Sequence, residues 1–311
     1  MSKLYIMGFP PLLIEGLSSP MKEKIVFCPG FPGFPTSKIK QITRFLFVGR
    51  IPLPLAALYF WFSKQGVDAL KAITASDCIL FYECSNLRIL KALKQFLPAQ
   101  THCCIYYSNP IQRIFHSPDR QLKQIKKLDF SVYTFDPQDA ATFQLQFAGQ
   151  YLRYPEEPLP QTFTSDCFFC GLPKDRLADL NQLRQTLEES GLQCNFIIPH
   201  SKESVISYQE YLRQLSLSRC VIDICQQGQT GITRRPLEAL FYNKKLITNN
   251  PAIRQYDFYR PENIFIWGED AVCQLHDFIH TPVLSVPSEI KRRYDINEWL
   301  TQFLKKEPDK E

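Results

Sequence analysis

Short apolar runs alternate with longer amphipathic stretches along most of this chain. Residues 24–28 (KIVFC) predict a strand, followed by the turn-rich run Pro29-Gly30-Phe31-Pro32-Gly33. Residues 77–82 (DCILFY) predict a second strand, 102–107 (HCCIYY) a third and 130–135 a fourth. Between the second and third, residues 86–96 place Leu87, Leu90, Leu93 and Phe96 along one helical face. After the fourth, Asp136-Pro137-Gln138-Asp139 reads as the cap of a short helix. Strands alternating with helices imply a parallel sheet covered on both faces.

The pattern restarts near residue 165. Residues 154–164 (YPEEPLPQTFT) are rich in proline and acidic, which reads as a linker. Beyond it come a strand at 166–170 ending at Gly171, a helix at 179–190 closed by Gly191, and a strand at 194–198. A helix at 207–216 precedes a strand at 220–225 (CVIDIC) and a glycine-containing loop. A helix at about 235–242 and strands at 245–248 and 264–267 complete the series. The expectation is an α/β protein of two Rossmann-like, doubly wound domains: an N-terminal one over 1–155 and a C-terminal one over 165–311.

Length agrees with that division, since 311 residues is about two domains of average size. The formal net charge of +5 is too mild to imply nucleic acid as a partner. It suits anionic small substrates or an anionic membrane surface. Eleven cysteines, an odd number, are scattered through strand-like runs, as buried thiols in a reducing compartment would be. Cys167 and Cys170 form a CxxC, but Phe168 and Phe169 lie between them where a zinc or redox motif has turn residues. The start of the chain does not read as a signal peptide, because Pro10, Pro11 and Glu15 interrupt the apolar stretch after Tyr5. A cytoplasmic protein is expected. No run reaches the roughly 18 clean apolar residues of a spanning helix. The nearest, 45–62, contains Arg50, Pro52 and Pro54.

The chemistry concentrates in residues 223–250 (DICQQGQTGITRRPLEALFYNKKLITNN). In an open parallel sheet, ligands bind beyond the C-terminal strand ends. Here the strand runs into Gly228-Gln229-Thr230-Gly231, then Thr233, Arg234 and Arg235, with Pro236 suited to a first helical turn. Glycines permit close approach of backbone N–H groups, a helix start favours an anion, Thr233 adds a hydroxyl and the arginines a planar cation. These are the groups a diphosphate requires. Of the two arginines, one is expected to face the ligand and one solvent, with Arg234 favoured as the inward one because it is nearer the Gly231 turn. Glu238, one turn along, is placed to accept both hydroxyls of a ribose. The alternative is an ordinary turn, with Glu238 paired to Lys244 or Arg234. Gly171, Lys174 and Arg176, after the first strand of this half, supply a second basic element. The loop is neither a Walker A sequence nor GxGxxG, which disfavours dinucleotide cofactors and phosphoryl transfer.

In the N-terminal half, residues 45–62 carry Phe45, Phe47, Leu55, Leu58, Tyr59, Phe60, Trp61 and Phe62, flanked by Lys38, Lys40, Arg44, Arg50 and Lys64. Aromatic and basic composition suits an interfacial segment at an anionic leaflet; the alternative is a buried helix beside the first strand. Lys123–Lys127 (KQIKK) adds charge that could contact phosphates on a substrate, or is simply a solvated helix face. A hydroxyl that attacked a ligand held by that loop would need a base nearby. Glu83, which follows a strand end, and His116 and Asp119 are the candidates. Metal ligands at a recognisable spacing are missing, so no metal and no cofactor is expected.

Residues 207–216, the run SRCVIDICQQGQTGITRRPLEALFYNKKLITNN and the segment YDFYRPENIFIWG resemble the donor domain of bacterial lipopolysaccharide and capsule glycosyltransferases. YTFDPQDA at 133–140 is similar to a segment near the end of their N-terminal domain. The likeness covers roughly residues 75–270. It implies the GT-B plan, with the two domains facing each other across a cleft, a nucleotide-sugar donor and a lipid-linked acceptor. Within that family, similarity to the enzymes that decorate an inner-core Kdo implies dTDP-L-rhamnose as donor and lipopolysaccharide core as acceptor. It also implies work at the cytoplasmic face of the inner membrane. A nucleotide-sugar epimerase of the same plan, and a non-catalytic sugar-nucleotide or membrane-surface binding protein, are the competing readings.

Overall fold

The computed structural model describes residues 2–9, 17–28, 31–33, 35, 37–153, 162–199, 201, 204–226 and 228–304. Four parts of the sequence reading lie outside them: Pro10, Pro11 and Glu15; the turn residues Pro29 and Gly30; residues 154–161 of the expected linker; and Gln227 of the loop.

Eleven strands are described: β1 (Leu4–Met7), β2 (Ile25–Cys28), β3 (Cys78–Tyr82), β4 (His102–Tyr107), β5 (Ser131–Thr134), β6 (Gln146–Phe147), β7 (Ser165–Cys170), β8 (Cys194–Ile197), β9 (Ser218–Asp223), β10 (Lys245–Thr248) and β11 (Ile264–Ile266). They form two sheets, ordered β2-β1-β3-β4-β5-β6 and β11-β10-β9-β7-β8. Every pairing is parallel. Each sheet starts in its interior, runs to one side, then reverses. The reversal falls between β1 and β3 in the first sheet and between β7 and β9 in the second. The α/β class with two doubly wound parallel sheets is therefore as the alternating pattern predicts.

Sheets covered on both faces need apolar residues at every strand position rather than at alternate ones. β1 is buried throughout, as are nearly all of β3, β4 and β10. In β7 the two faces feed different cores. Cys167 and Phe169 pack with Leu180, Leu183 and Leu187, whereas Phe168 and Cys170 pack with Leu237, Leu246 and Ile266. The CxxC cysteines thus point to opposite sides of the sheet and cannot act together. All eleven cysteines are free, and only Cys194 and Cys273 are not fully buried.

Local signals hold the connections. Asn86 accepts hydrogen bonds from the N–H groups of Arg88 and Ile89 at the start of helix Leu87–Lys94. Asp136 does the same for Gln138 and Asp139, and Ser207 for Glu210. Two strands escape the sequence pattern. β6 has two residues and shows no period; β1 has four, no fewer than β2, and its apolar run LYIM was open to prediction.

The chain divides into two compact units, 1–149 with 296 onward, and 150–295. The sequence reading, with domains at 1–155 and 165–311, groups the C-terminal helix Ile296–Thr301 with the second half. It packs instead in the first unit, where Trp299 stands edge-on to Tyr106 with ring centroids 4.8 Å apart. Its Nε1 donates to the Ala148 carbonyl at 2.8 Å, and Phe303 packs on Tyr133 at 4.9 Å.

The 45–62 segment is not a buried helix. It forms helix Lys38–Phe47 and a 3-10 turn Leu55–Phe60, separated by Pro52 and Pro54. Among the described residues, no helix is long and apolar enough to cross a membrane.

Candidate functional site

A group of enclosed polar side chains in the second unit lies where β7 and β9 end, at the reversal of strand order. β9 stops at Asp223, whose carboxylate is 1% exposed. A buried carboxylate must be paired, and two residues of the following loop and helix meet it. The Thr233 hydroxyl donates to Asp223 Oδ1 at 2.9 Å, and Arg235 Nη1 lies 3.5 Å from the same oxygen. Arg235 Nη2 donates to the Cys170 carbonyl at the end of β7, 2.9 Å away.

Arg176 enters from the other side, from the loop before helix Leu177–Glu189. Its Nη1 donates to the Ile224 carbonyl just past β9, and its Nη2 lies 3.4 Å from the Leu172 carbonyl. Both guanidinium groups lie over the Phe169 ring, at 5.4 Å for Arg176 and 4.9 Å for Arg235. Arg176 is buried and Arg235 partly so, and two enclosed cations side by side are costly. Burial first, and then the Arg235 charge, pull Arg176 below its ordinary pKa. Burial also works against the charge on Arg235, but Asp223, Tyr211 and Glu238 outweigh it and raise its pKa. The Nε of each arginine is buried without a hydrogen-bond acceptor.

Glycine at 171 is what lets Arg235 in. A Cβ there would sit 2.7 Å from Arg235 Nη2, and that guanidinium is pinned, so it has no room to yield. Gly228 has φ +79 and open space beside it. It serves a left-handed turn, not a close approach within the protein. The rest of the loop is tied inward: Gln229 Nε2 donates to the Gly231 carbonyl at 2.8 Å and Asn250 Nδ2 to the Thr230 carbonyl at 2.9 Å.

Three sequence expectations change here. Arg235, not Arg234, is the member of the pair that packs onto the β7 end and Asp223; Arg234 lies over the Tyr151 ring at 5.6 Å. The Thr233 hydroxyl is not a spare donor, because it donates to Asp223 and accepts from Arg235 N at 3.1 Å. Glu238 is 4% exposed, and the Tyr211 hydroxyl donates to its Oε2. Burial raises the Glu238 pKa against the lowering effects of Tyr211, Arg235 and Arg234. Lys244, its expected alternative partner, donates instead to the Ser216 carbonyl at 2.6 Å. Lys174 is exposed, with φ 49. The helix Arg235–Phe241 has seven residues, too few for its dipole to make an anion site alone, so the positive charge comes from the arginines.

Asp223 and Tyr211 were not singled out by sequence reasoning. The signal for Asp223 is a lone carboxylate inside the otherwise apolar run 220–225. For Tyr211 there was none beyond its place on a helix, where Tyr208 stacks on it with centroids 6.0 Å apart and planes 11° from parallel.

In the first unit, Glu83 follows β3 with φ 55, a left-handed conformation uncommon for a residue with a side chain. Its Oε1 accepts from Ser108 N at 3.2 Å, Ser108 Oγ at 2.5 Å and Asn109 Nδ2 at 2.6 Å. The carboxylate is thus fixed in place while the residue stays exposed. His116 and Asp119 are exposed, on either side of the start of helix Pro118–Lys127. Of the KQIKK lysines, Lys126 is engaged, its Nζ donating to the Phe143 and Gln144 carbonyls, each at 3.0 Å. Among the described residues, no group of three or more His, Cys, Asp or Glu side chains is placed to hold a metal ion.

No protein-family profile and no curated protein matches the chain. Among solved structures that resemble it is a DNA-modifying β-glucosyltransferase, determined in the presence and absence of uridine diphosphoglucose. Identity is 12% and the TM-score 0.44, over 96% of this chain and 94% of that one. A likeness of that size carries no argument about what this chain does.

Proposed function

We propose that this chain is a glycosyltransferase that takes its sugar from a nucleotide-sugar donor bound at the ends of β7 and β9. The observation that carries the reading is the meeting of Arg176, Arg235, Thr233 and Asp223 at the reversal point of a doubly wound sheet. That is where such sheets bind ligands. Two guanidinium groups with unmet Nε donors suit a diphosphate, whose negative charge grows as the glycosidic bond breaks. Glu238 lies one turn along the helix, hydrogen-bonded by Tyr211 of the helix Tyr208–Ser216, on the side proposed for the ribose. The proposed chemistry is displacement of the nucleoside diphosphate by an acceptor hydroxyl. Glu83 is the proposed base that removes the hydroxyl proton, with His116 the second candidate. Neither a metal nor a cofactor enters this scheme.

At the finer level, the resemblance of residues 75–270 supports dTDP-L-rhamnose as donor and the inner-core Kdo of lipopolysaccharide as acceptor, the reaction of an enterobacterial core rhamnosyltransferase. The protein would work at the cytoplasmic face of the inner membrane. Calorimetric titration with dTDP and UDP tests the donor site; binding of neither removes it. Mass analysis of core oligosaccharide from cells with and without the protein tests the reaction. Loss of one deoxyhexose supports rhamnose transfer, and an unchanged core refutes it. Donor conversion without acceptor would favour an epimerase.

A further inference from the structure

The helix Lys38–Phe47 is turned inside out. Its buried residue is Arg44, whose Nη1 donates to the Pro32 and Gly33 carbonyls and whose guanidinium lies 6.0 Å from the centre of the Phe62 ring. Its large apolar residues face outward: Ile39 is 68% exposed, Ile42 59% and Phe45 60%. Ile39, Ile42 and Leu46 follow i, i+3, i+7 spacing and so share one face. Ile51 and Phe60, from the segments after the helix, are also exposed. A helix that packed only for stability would bury this stripe, and a contiguous exposed apolar patch marks an interaction surface.

The surrounding charge says what covers it. From Lys24 through Val67 the sequence holds no Asp or Glu, while Lys38, Lys40, Arg44, Arg50 and Lys64 are all basic. Several of these cations stand beside the exposed rings. Arg50 lies over Phe45 at 4.8 Å and Lys40 over Phe60 at 5.3 Å; Arg88, from the start of helix Leu87–Lys94, joins Arg50 over Phe45 at 4.6 Å. A second copy of the chain would bring this ring of positive charge against itself. An anionic lipid surface complements both parts, the headgroups meeting the cations and the acyl boundary the isoleucines and phenylalanines.

We propose that helix Lys38–Phe47, with Ile51 and Phe60, docks on the surface of an anionic phospholipid bilayer, its axis along the membrane plane. The inference deepens the proposed work at a membrane by naming the face that meets it, and it does not depend on the donor site.

Flotation of the full chain with phosphatidylcholine vesicles, and with vesicles containing about a quarter phosphatidylglycerol, tests it. The chain is expected to float with the anionic vesicles and to be released as salt is raised. Each cation near the surface contributes about fivefold to partitioning, so Lys38→Glu/Arg50→Glu lowers binding by at least about 25-fold. Ile39→Ser/Ile42→Ser, at two exposed positions that no core depends on, abolishes it with the thermal melt unchanged. Three results overturn the proposal: no flotation, equal flotation with neutral and anionic vesicles, or flotation that survives Ile39→Ser/Ile42→Ser in a folded chain. A concentration-dependent dimer in the unaltered chain that Ile39→Ser/Ile42→Ser disperses would assign the face to a second copy instead.

Discussion

Arg235 is the residue on which the donor site stands or falls, and its two roles are separable. Replacing it with Met keeps a stem to pack on Phe169 but removes the guanidinium. Asp223, 1% exposed, then loses its paired cation and keeps its hydrogen bonds and the weaker influence of Arg176. Breaking a buried pair from one side costs about 3–5 kcal/mol, because a charge is left uncompensated. A folded protein with roughly 5–15 kcal/mol in hand survives that loss, weakened. Arg235→Met with Asp223→Asn removes the stranded charge while leaving an oxygen for the Thr233 hydroxyl, so it should recover more than half of the lost stability. Catalysis should not recover. The leaving diphosphate would keep Arg176 but lose the Arg235 guanidinium in both variants, and turnover should fall by about 10²-fold or more. Urea unfolding, calorimetric titration with the nucleoside diphosphate and initial rates give the three readings. Equal stability of the single and double variants would refute the electrostatic account of Asp223. Unchanged nucleotide affinity in a folded Arg235→Met protein would remove Arg235 from the site.

Three further outcomes are expected. Glu238→Ala should sharply weaken nucleotide binding, because ribose hydroxyls and the Tyr211 hydroxyl both lose their acceptor; unchanged calorimetric affinity in folded protein argues against the ribose role. Turnover should survive EDTA, and activity lost to chelation and restored by Mg²⁺ or Mn²⁺ would contradict the metal-free scheme. Burial holds the Lys244 pKa down to about 8, so the unfolded chain binds that proton more tightly than the folded one, and stability rises with pH from about 8 toward the ordinary lysine value and is flat below. Against Lys244→Met, the unaltered chain should gain on the order of 2–3 kcal/mol between pH 7 and pH 10, and a pH-independent difference in urea unfolding would refute this.

Much of the fold is legible in the sequence because its signals are local. Apolar runs bounded by Gly and Pro mark the longer strands within a residue or two, and Asn86, Asp136 and Ser207 mark helix starts through hydrogen bonds to N–H groups two or three positions on. The neighbourhood of the candidate site is legible for a similar reason: in a doubly wound sheet the loop after a strand end falls at the ligand edge whatever its detailed conformation. What the sequence leaves open is every question of which side chain points where. Arg234 and Arg235 are identical in type and adjacent in the chain. Only the approach of the β7 end, with no Cβ at Gly171 and a bare carbonyl at Cys170, decides that Arg235 enters and Arg234 turns to Tyr151. Glu238 looks like an open carboxylate until Tyr211, 27 residues earlier, is folded against it. The membership of Ile296–Thr301 in the first unit depends on Trp299 reaching Tyr106 and Ala148, about 150 or more positions away. Helix Lys38–Phe47 carries an apolar stripe that periodicity would assign to a core, and the tertiary structure buries its arginine instead. Period and capping are properties of a few neighbouring residues; orientation and burial are set by distant partners that meet only when the chain has folded.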